Sequence, residues 1–257
     1  MGLPLAKMLI AEGILVRGST TSQEKVPMLE SSGIEAFVIK VAAEGISGEI
    51  ERFLEASEVL IVDFPPGLRK DPKLDYEGAI ARLAEAVETS GVKKVIFVSS
   101  IAVYEETENF SIYTEDAEPN ATSASGKQII SAEKILLQNP FFDTTVIRFG
   151  GLIGAGRHPV KYLAGRSGLP NPLGPVNLIH LDDCLGILKK VLKNDIFGTV
   201  YNAVYPLHPP RAKYYTEKAK EAGLEIPQFD ETSASAGKII SASKVVRELG
   251  VRFQSEI

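Results

Sequence analysis

The chain has 257 residues, 44% hydrophobic and 24% charged, enough to bury one large α/β domain or one domain plus a small lobe. Its net charge of −5 and lack of a lysine- and arginine-rich run argue against a nucleic-acid or anionic-membrane surface. The single Cys184 cannot form an internal disulfide, and three separated histidines offer no metal-ligand set. The apolar run Met8–Val16 is interrupted by Glu12 and Gly13 and is too short to span a bilayer, so a cytoplasmic protein without a membrane partner is expected.

In chain order, residues 3–12 carry apolar side chains at helical spacing, with Gly13 as a C-terminal stop. Residues 14–18 read as a strand, 22–32 as a helix containing Pro27, 36–41 as a strand, 47–55 as a helix and 59–64 as a strand. After the Pro65-Pro66-Gly67 loop comes a long amphipathic helix over 74–90, then a strand over 94–99. The polar stretch 105–124 leads into a helix over 126–138 and a strand over 144–148. Residues 150–177, rich in glycine and proline, read as loops. A short strand over 176–180, a helix over 182–192 and a strand over 199–204 follow. The tail carries a helix over 211–222, an extended piece over 238–241 and a helix over 242–249. Strands made of short continuous apolar runs, alternating with helices, predict a doubly wound, mostly parallel sheet buried on both faces.

A Rossmann unit opens with a strand, then Gly-x-Gly-x-x-Gly, then a helix, and its third glycine lets helix and strand pack closely. Gly2 stands where that third glycine would be, so the sequence opens partway through the phosphate-binding turn. The strand before it would be central, between those at 14–18 and 59–64, where an empty slot strips two rows of backbone groups of partners. The expectations are a chain start that lies upstream of Met1, or a chain that tolerates a damaged sheet. A third reading makes Gly2 an ordinary N-terminal residue of a different α/β arrangement.

From residue 2 to about 250 the chain resembles the short-chain dehydrogenase/reductase superfamily, in its extended or atypical, NAD-dependent epimerase/dehydratase-like branch. The resemblance rests on GLPLAKMLIAEG, VIFVSSIAVYEE, TEDAEPNATSASGKQIISAEKILL, VIRFGGLIGAGRHP, NLIHLDDCLGIL and GTVYNAVY, in that order. It implies an NAD(P)-binding Rossmann domain over 1–150 with 176–204, and a small C-terminal substrate lobe over 151–175 with 205–257. The implied activity is that of an oxidoreductase or epimerase on a small or sugar- or nucleotide-linked substrate. The alternative is a catalytically inactive NADP(H)-binding sensor or regulatory protein. A homodimer through the helices at 74–90 and 126–138 is also implied.

The family places a serine or threonine after the fifth strand to hydrogen-bond the substrate, and Ser100 matches it. Its Tyr-x-x-x-Lys pairs a general acid/base with a lysine one helical turn on. Aligned on Ala132-Glu133, those positions hold Ser125 and Ile129, and Lys127 lies on another helix face. A serine hydroxyl is too weak an acid and isoleucine carries no charge, so a replacement acid falls to Tyr104 or Tyr113.

On the cofactor side the expected residues are Gly2, Ser19, Thr20, Thr21, Ser22, Phe64, Pro65, Pro66, Ser99 and Arg148. Ser99 and Ser100 also read as satisfying backbone groups at a strand end and Arg148 as a structural salt bridge, while for Tyr104 a packed aromatic is the favoured alternative. The strand at 14–18 is followed by Ser19-Thr20-Thr21-Ser22 with no acid before Glu24. An acid there would bind the ribose 2′-hydroxyl of NAD, whereas hydroxyls with Arg17 or Lys25 suit a 2′-phosphate, so NADP(H) is favoured over NAD(H). The plainer reading has this cluster cap the next helix. Arg157 and His158 fall in the loop that meets substrate in the family, or are surface residues. His180, Asp182 and Asp183 read as a helix N-terminus, and Cys184 as a small core residue.

Overall fold

The computed structural model describes residues 1–68, 71–154, 156–254 and 257. Its first elements are α1 (Gly2–Ala11), β1 (Arg17–Thr20), α2 (Val26–Glu30), β2 (Glu35–Val38), β3 (Lys40–Ala42), β4 (Gly45–Ser47), α3 (Ile50–Leu54) and β5 (Val59–Val62). Next come α4 (Tyr76–Ser90), β6 (Lys94–Ser100), β7 (Ile112–Tyr113), α5 (Ala124–Leu137), β8 (Asp143–Phe149), β9 (Gly151–Ile153) and α6 (Val160–Leu163). The last are β10 (Leu178–His180), α7 (Leu181–Lys193), β11 (Val200–Ala203), α8 (Arg211–Glu221), β12 (Ile239–Ile240) and α9 (Ser243–Leu249). Two compact units emerge: residues 1–99, 123–147 and 188–200 form the first, and 100–122, 148–187 and 201–257 the second.

The first unit is built on the parallel strands β5, β6 and β8, with β6 between the other two. Val59 to Val62 of β5 lie beside Lys94 to Phe97 of β6 in parallel register. Val95, Ile96 and Phe97 are each at most 1% exposed, as a continuous apolar run covered on both faces requires. In α4, Ile80, Leu83, Ala84 and Val87 recur at helical spacing and form its buried stripe. That helix starts at Asp75, whose carboxylate accepts the Gly78 N–H at 2.8 Å, and stops at Gly91, whose φ is +85°. Helix α5 starts earlier than the sequence suggests, with the Ser123 hydroxyl accepting the Gly126 N–H at 3.1 Å.

Among the described residues β1 pairs with β2 alone and β5 with β6 alone, so the layer comes in two pieces. The expected strand at 14–18 begins only at Arg17. Gly13, with φ +81°, ends α1, and the Ile14 N–H turns back to the Leu9 carbonyl, leaving Leu15 99% exposed. The helix expected over 22–32 is cut short because Pro27 has no N–H to give and fits only the first turn of α2. The strand expected over 36–41 breaks at Ile39, whose N–H goes to Thr20, and the chain turns into an antiparallel β3–β4 hairpin. Gly48 follows with φ +100°, and a Cβ there would lie 2.1 Å from the Val38 carbonyl, so only glycine fits.

The second unit holds the parallel pairs β9–β10 and β7–β12. The loops expected over 150–177 thus contain β9 and α6, and the polar stretch 105–124 contains β7. Its core packs Ile153, Val160, Val176 and Leu178 with Tyr214 and Tyr215. Cys184 is fully buried, as its small apolar side chain favours. No helix among the described residues is long and apolar enough to cross a membrane.

Candidate functional site

In the first unit the N-terminal end of α1 meets the end of β5. The Gly2 N–H donates to Asp63, and the chain's ammonium lies 3.7 Å from Asp63 Oδ2. Burial pushes the Asp63 carboxyl above its ordinary range, and the ammonium and the Gly2 N–H oppose that rise. The first N–H groups of a helix favour an anion by geometry and dipole; the N-cap residue Met1 gives α1 no side-chain cap, and the Asp63 carboxylate takes the Gly2 N–H.

Phe64 and the Pro65-Pro66-Gly67 turn follow directly. The Tyr76 hydroxyl donates to the Phe64 carbonyl at 3.0 Å, and the two rings meet edge to face at 5.4 Å. Tyr76 is buried, and that burial, with Asp63 nearby, pushes its phenol well above the usual range. Gln128 of α5 completes a clasp. Its Oε1 accepts the Tyr76 N–H at 2.6 Å, and its Nε2 donates to the Leu74 carbonyl at 3.1 Å.

The hydroxyl cluster after β1 is open: Ser19 and Thr21 are exposed, and Thr20 and Ser22 are half-buried. The Thr20 Oγ1 accepts the Ser22 N–H at 3.2 Å, while Ser22 makes no side-chain cap to the helical turn that follows. Arg17 is engaged elsewhere. It pairs with Glu35 at 2.8 Å, donates to the Arg52 carbonyl at 2.9 Å, and also donates to the Glu55 carbonyl. Of the two cations expected near a 2′-phosphate, Lys25 is the one left exposed. Ser99 is buried and donates to Glu133 Oε1 of α5 at 2.5 Å, so its hydroxyl faces that helix. On α5, Ser125 is half-buried, Ile129 is buried and Lys127 is exposed.

In the second unit Ser100 is half-buried, and its Oγ accepts the Ala102 N–H at 3.1 Å, capping the single turn Ile101–Val103. Tyr104 is only 1% exposed. Its hydroxyl accepts from Arg148 Nη1 at 2.5 Å and lies 3.1 Å from the Thr114 carbonyl and 3.2 Å from Asn202 Oδ1. The Tyr104 ring stacks on Tyr113 at 4.7 Å, and the Arg148 guanidinium sits 5.1 Å from its centroid. Tyr113 is buried too, and its hydroxyl receives the Asn120 side-chain amide at 3.4 Å. Arg148 is therefore placed in a buried network with Tyr104 rather than at an open strand end.

Arg157 is exposed, with its backbone bridged to Gly154. His158 is half-buried. Its Nδ1 accepts the Val160 N–H at 3.1 Å, so Nε2 carries the proton and donates to the Tyr214 hydroxyl at 2.9 Å. Burial, then the charges of Lys218 and Lys161, hold His158 below its ordinary value. At α7, His180 Nδ1 accepts the Asp182 N–H, and Asp183 Oδ1 accepts the Gln254 N–H at 2.9 Å.

Sequence reasoning missed Asp63, Tyr76, Gln128 and Lys238. Asp75-x-x-Gly78 was a readable helix start beside Tyr76, but nothing marks a glutamine inside a helix as a clasp. Lys238 is buried and donates to the Tyr104 carbonyl. Burial holds its amine below the ordinary range, opposed by Glu106 and Glu105.

A family described as NAD(P)H-binding matches residues 1–173. Protein YeeZ of Escherichia coli K12 is 32% identical over 258 aligned positions, covering 99% of this chain and 92% of YeeZ. Among solved structures, the UDP-glucose 4-epimerase of Thermotoga maritima with UDP-glucose superposes with a TM-score of 0.80 at 16% identity, over 99% of this chain and 91% of that one. The dTDP-glucose 4,6-dehydratase DesIV of Streptomyces venezuelae, a double mutant with NAD bound, gives 0.80 at 15% identity over 100% and 89%.

Proposed function

Because the chain belongs to the NAD(P)H-binding family and has the epimerase/dehydratase-type fold, we propose that it binds NADP(H) without the acid–base turnover of its fold relatives. The observation that carries this reading is the commitment of Tyr104, whose hydroxyl is engaged by Arg148 inside the second unit. Ser125 and Ile129, at the helix positions of the usual tyrosine and lysine, supply no acid–base pair, and Tyr113 is buried against Tyr104. The pyrophosphate would rest on the N-terminal turn of α1 at Gly2, beside Phe64, Pro65 and Pro66. Ser19, Thr20, Thr21 and Ser22, with Lys25 near and no acid before Glu24, support a 2′-phosphate over a bare ribose hydroxyl.

A second reading keeps an oxidoreductase or epimerase acting on a small or sugar-nucleotide substrate. It is favoured by Ser100, whose oxygen accepts the Ala102 N–H and whose proton has no acceptor among the described residues, which suits donation to a substrate oxygen. Arg157 and His158 would then meet the substrate.

Titration calorimetry with NADPH and NADH should give tighter binding of NADPH. Nicotinamide absorbance, followed with a panel of carbonyl compounds and sugar nucleotides, should show no substrate-dependent change. Substrate-dependent oxidation would replace this reading with the second, and binding of neither dinucleotide would overturn both.

A further inference from the structure

One line of contacts in the first unit runs from α5 to the N-terminal end of α1. Gln128 takes the Tyr76 N–H at 2.6 Å and holds the Leu74 carbonyl at 3.1 Å. Tyr76 reaches back to the Phe64 carbonyl at 3.0 Å, and Phe64 follows Asp63, which receives the Gly2 N–H. The turn after Phe64 is held close as well: a Cβ on Gly67, whose φ is +75°, would come within 2.9 Å of Leu74 Cδ1. Every side-chain bond in this line goes to main chain on one side, so it fixes the path of the backbone rather than pairing two mobile groups. Tyr76 is 4% exposed, so water does not compete for its hydroxyl.

From this geometry we infer that Gln128 and Tyr76 are positioning residues of the nucleotide pocket. They hold the turn Phe64–Gly67 in place beside the α1 phosphate site, on the adenosine–pyrophosphate half of the dinucleotide. The inference rests on the NADP(H)-binding reading above. It gives α5 a role in cofactor binding exercised through Gln128, although the helix carries Ser125 and Ile129 where proton chemistry would need other residues. A loop held in its bound conformation before the ligand arrives costs less ordering on binding, and the clasp acts through that difference.

The test compares the wild-type chain with Tyr76→Phe, Gln128→Ala and Gln128→Glu. Tyr76→Phe keeps the ring against Phe64 and removes only the hydroxyl. Gln128→Glu keeps an acceptor for the Tyr76 N–H and loses the donor to Leu74. Calorimetry would use NADPH, ADP and nicotinamide mononucleotide, and thermal unfolding would be followed without ligand. Tyr76→Phe and Gln128→Ala should each weaken NADPH and ADP by about two- to tenfold, the range of one neutral hydrogen bond. Nicotinamide mononucleotide should bind all four chains alike, and Gln128→Glu should fall between wild type and Gln128→Ala. Unchanged NADPH affinity in both variants would overturn the inference while leaving NADP(H) binding standing. Equal losses for ADP and nicotinamide mononucleotide would mark general loosening and overturn it too. A wild-type chain that binds no dinucleotide would bring down the functional reading itself, and this inference with it.

Discussion

The two compact units both carry exposed ion pairs, but among the described residues the second buries more charged side chains than the first. In the first, ion pairs sit on the rim: Arg17–Glu35, Arg52–Glu49, Arg82–Glu85 and Lys94–Asp195 all involve solvent-exposed partners. The second buries Arg148, Asp183 and Lys238, and ties the first and last of these to Tyr104. The reason lies in the backbone. The first unit has a broad strand ladder to satisfy its interior N–H and C=O groups, whereas the second has short two-stranded pairs and long connections that need side chains to do so. Rim pairs in high dielectric contribute little, while a buried charge left without its partner is costly. A buried charge is thus more a part of the framework in the second unit than in the first.

Substitutions can break this comparison. The largest effect is expected from Tyr104→Phe, which takes the acceptor from Arg148 Nη1 inside the second unit and should cost about 2–3 kcal/mol in denaturant unfolding. Ser99→Ala removes a donor to the buried Glu133 of α5 in the first unit and should cost about 1–2 kcal/mol. A reversed order would sink the claim that the second unit depends more on its buried polar groups.

A smaller effect should come from His158. Burial and two lysines hold its pKa below the ordinary 6.5, so the unfolded chain takes up a proton before the folded one does. Its contribution is complete above about pH 6.5 and is lost as the pH falls below that value. His208, also lowered by burial, acts in the same direction and remains in a His158→Gln variant. The thermal midpoint of that variant should decline less steeply on acidification than the wild type's. Parallel curves would remove His158 from the second unit's framework. The smallest effect belongs to the rim. Lys94→Met, which opens the pair with the 64%-exposed Asp195, should shift stability by no more than about 0.5 kcal/mol.

What the sequence revealed follows the same division. Helices α4 and α5 and strands β6 and β8 announce themselves, because a covered strand is a continuous apolar run and a surface helix repeats every turn. The β3–β4 hairpin did not, since strands as short as Lys40–Ala42 and Gly45–Ser47 leave no alternation to read. The pattern at residues 2–12 pointed to a helix that opens at Gly2, and α1 begins there. It could not show that Arg17 gives its donors to carbonyls 35 and 38 residues away, for backbone acceptors have no residue-type signature. Tyr104 posed the same difficulty. A tyrosine after a strand reads alike whether its hydroxyl meets a ligand or an arginine, and only the fold brings Arg148 to it. Residues 150–177 were legible only as glycine- and proline-rich chain, because their order comes from long-range ties such as Asn171 to Ala236, whereas α8 and α9 lie where helices were expected.

One buried group has a practical consequence. Cys184 is the chain's only thiol, and it lies fully enclosed in α7 within the second unit. A thiol reagent can therefore modify the protein at a single place, and only in molecules whose interior has opened there. The labelling rate in native buffer is a clock for that opening, free of background from other sites. Set beside global unfolding, it separates a local breathing motion from loss of the whole fold.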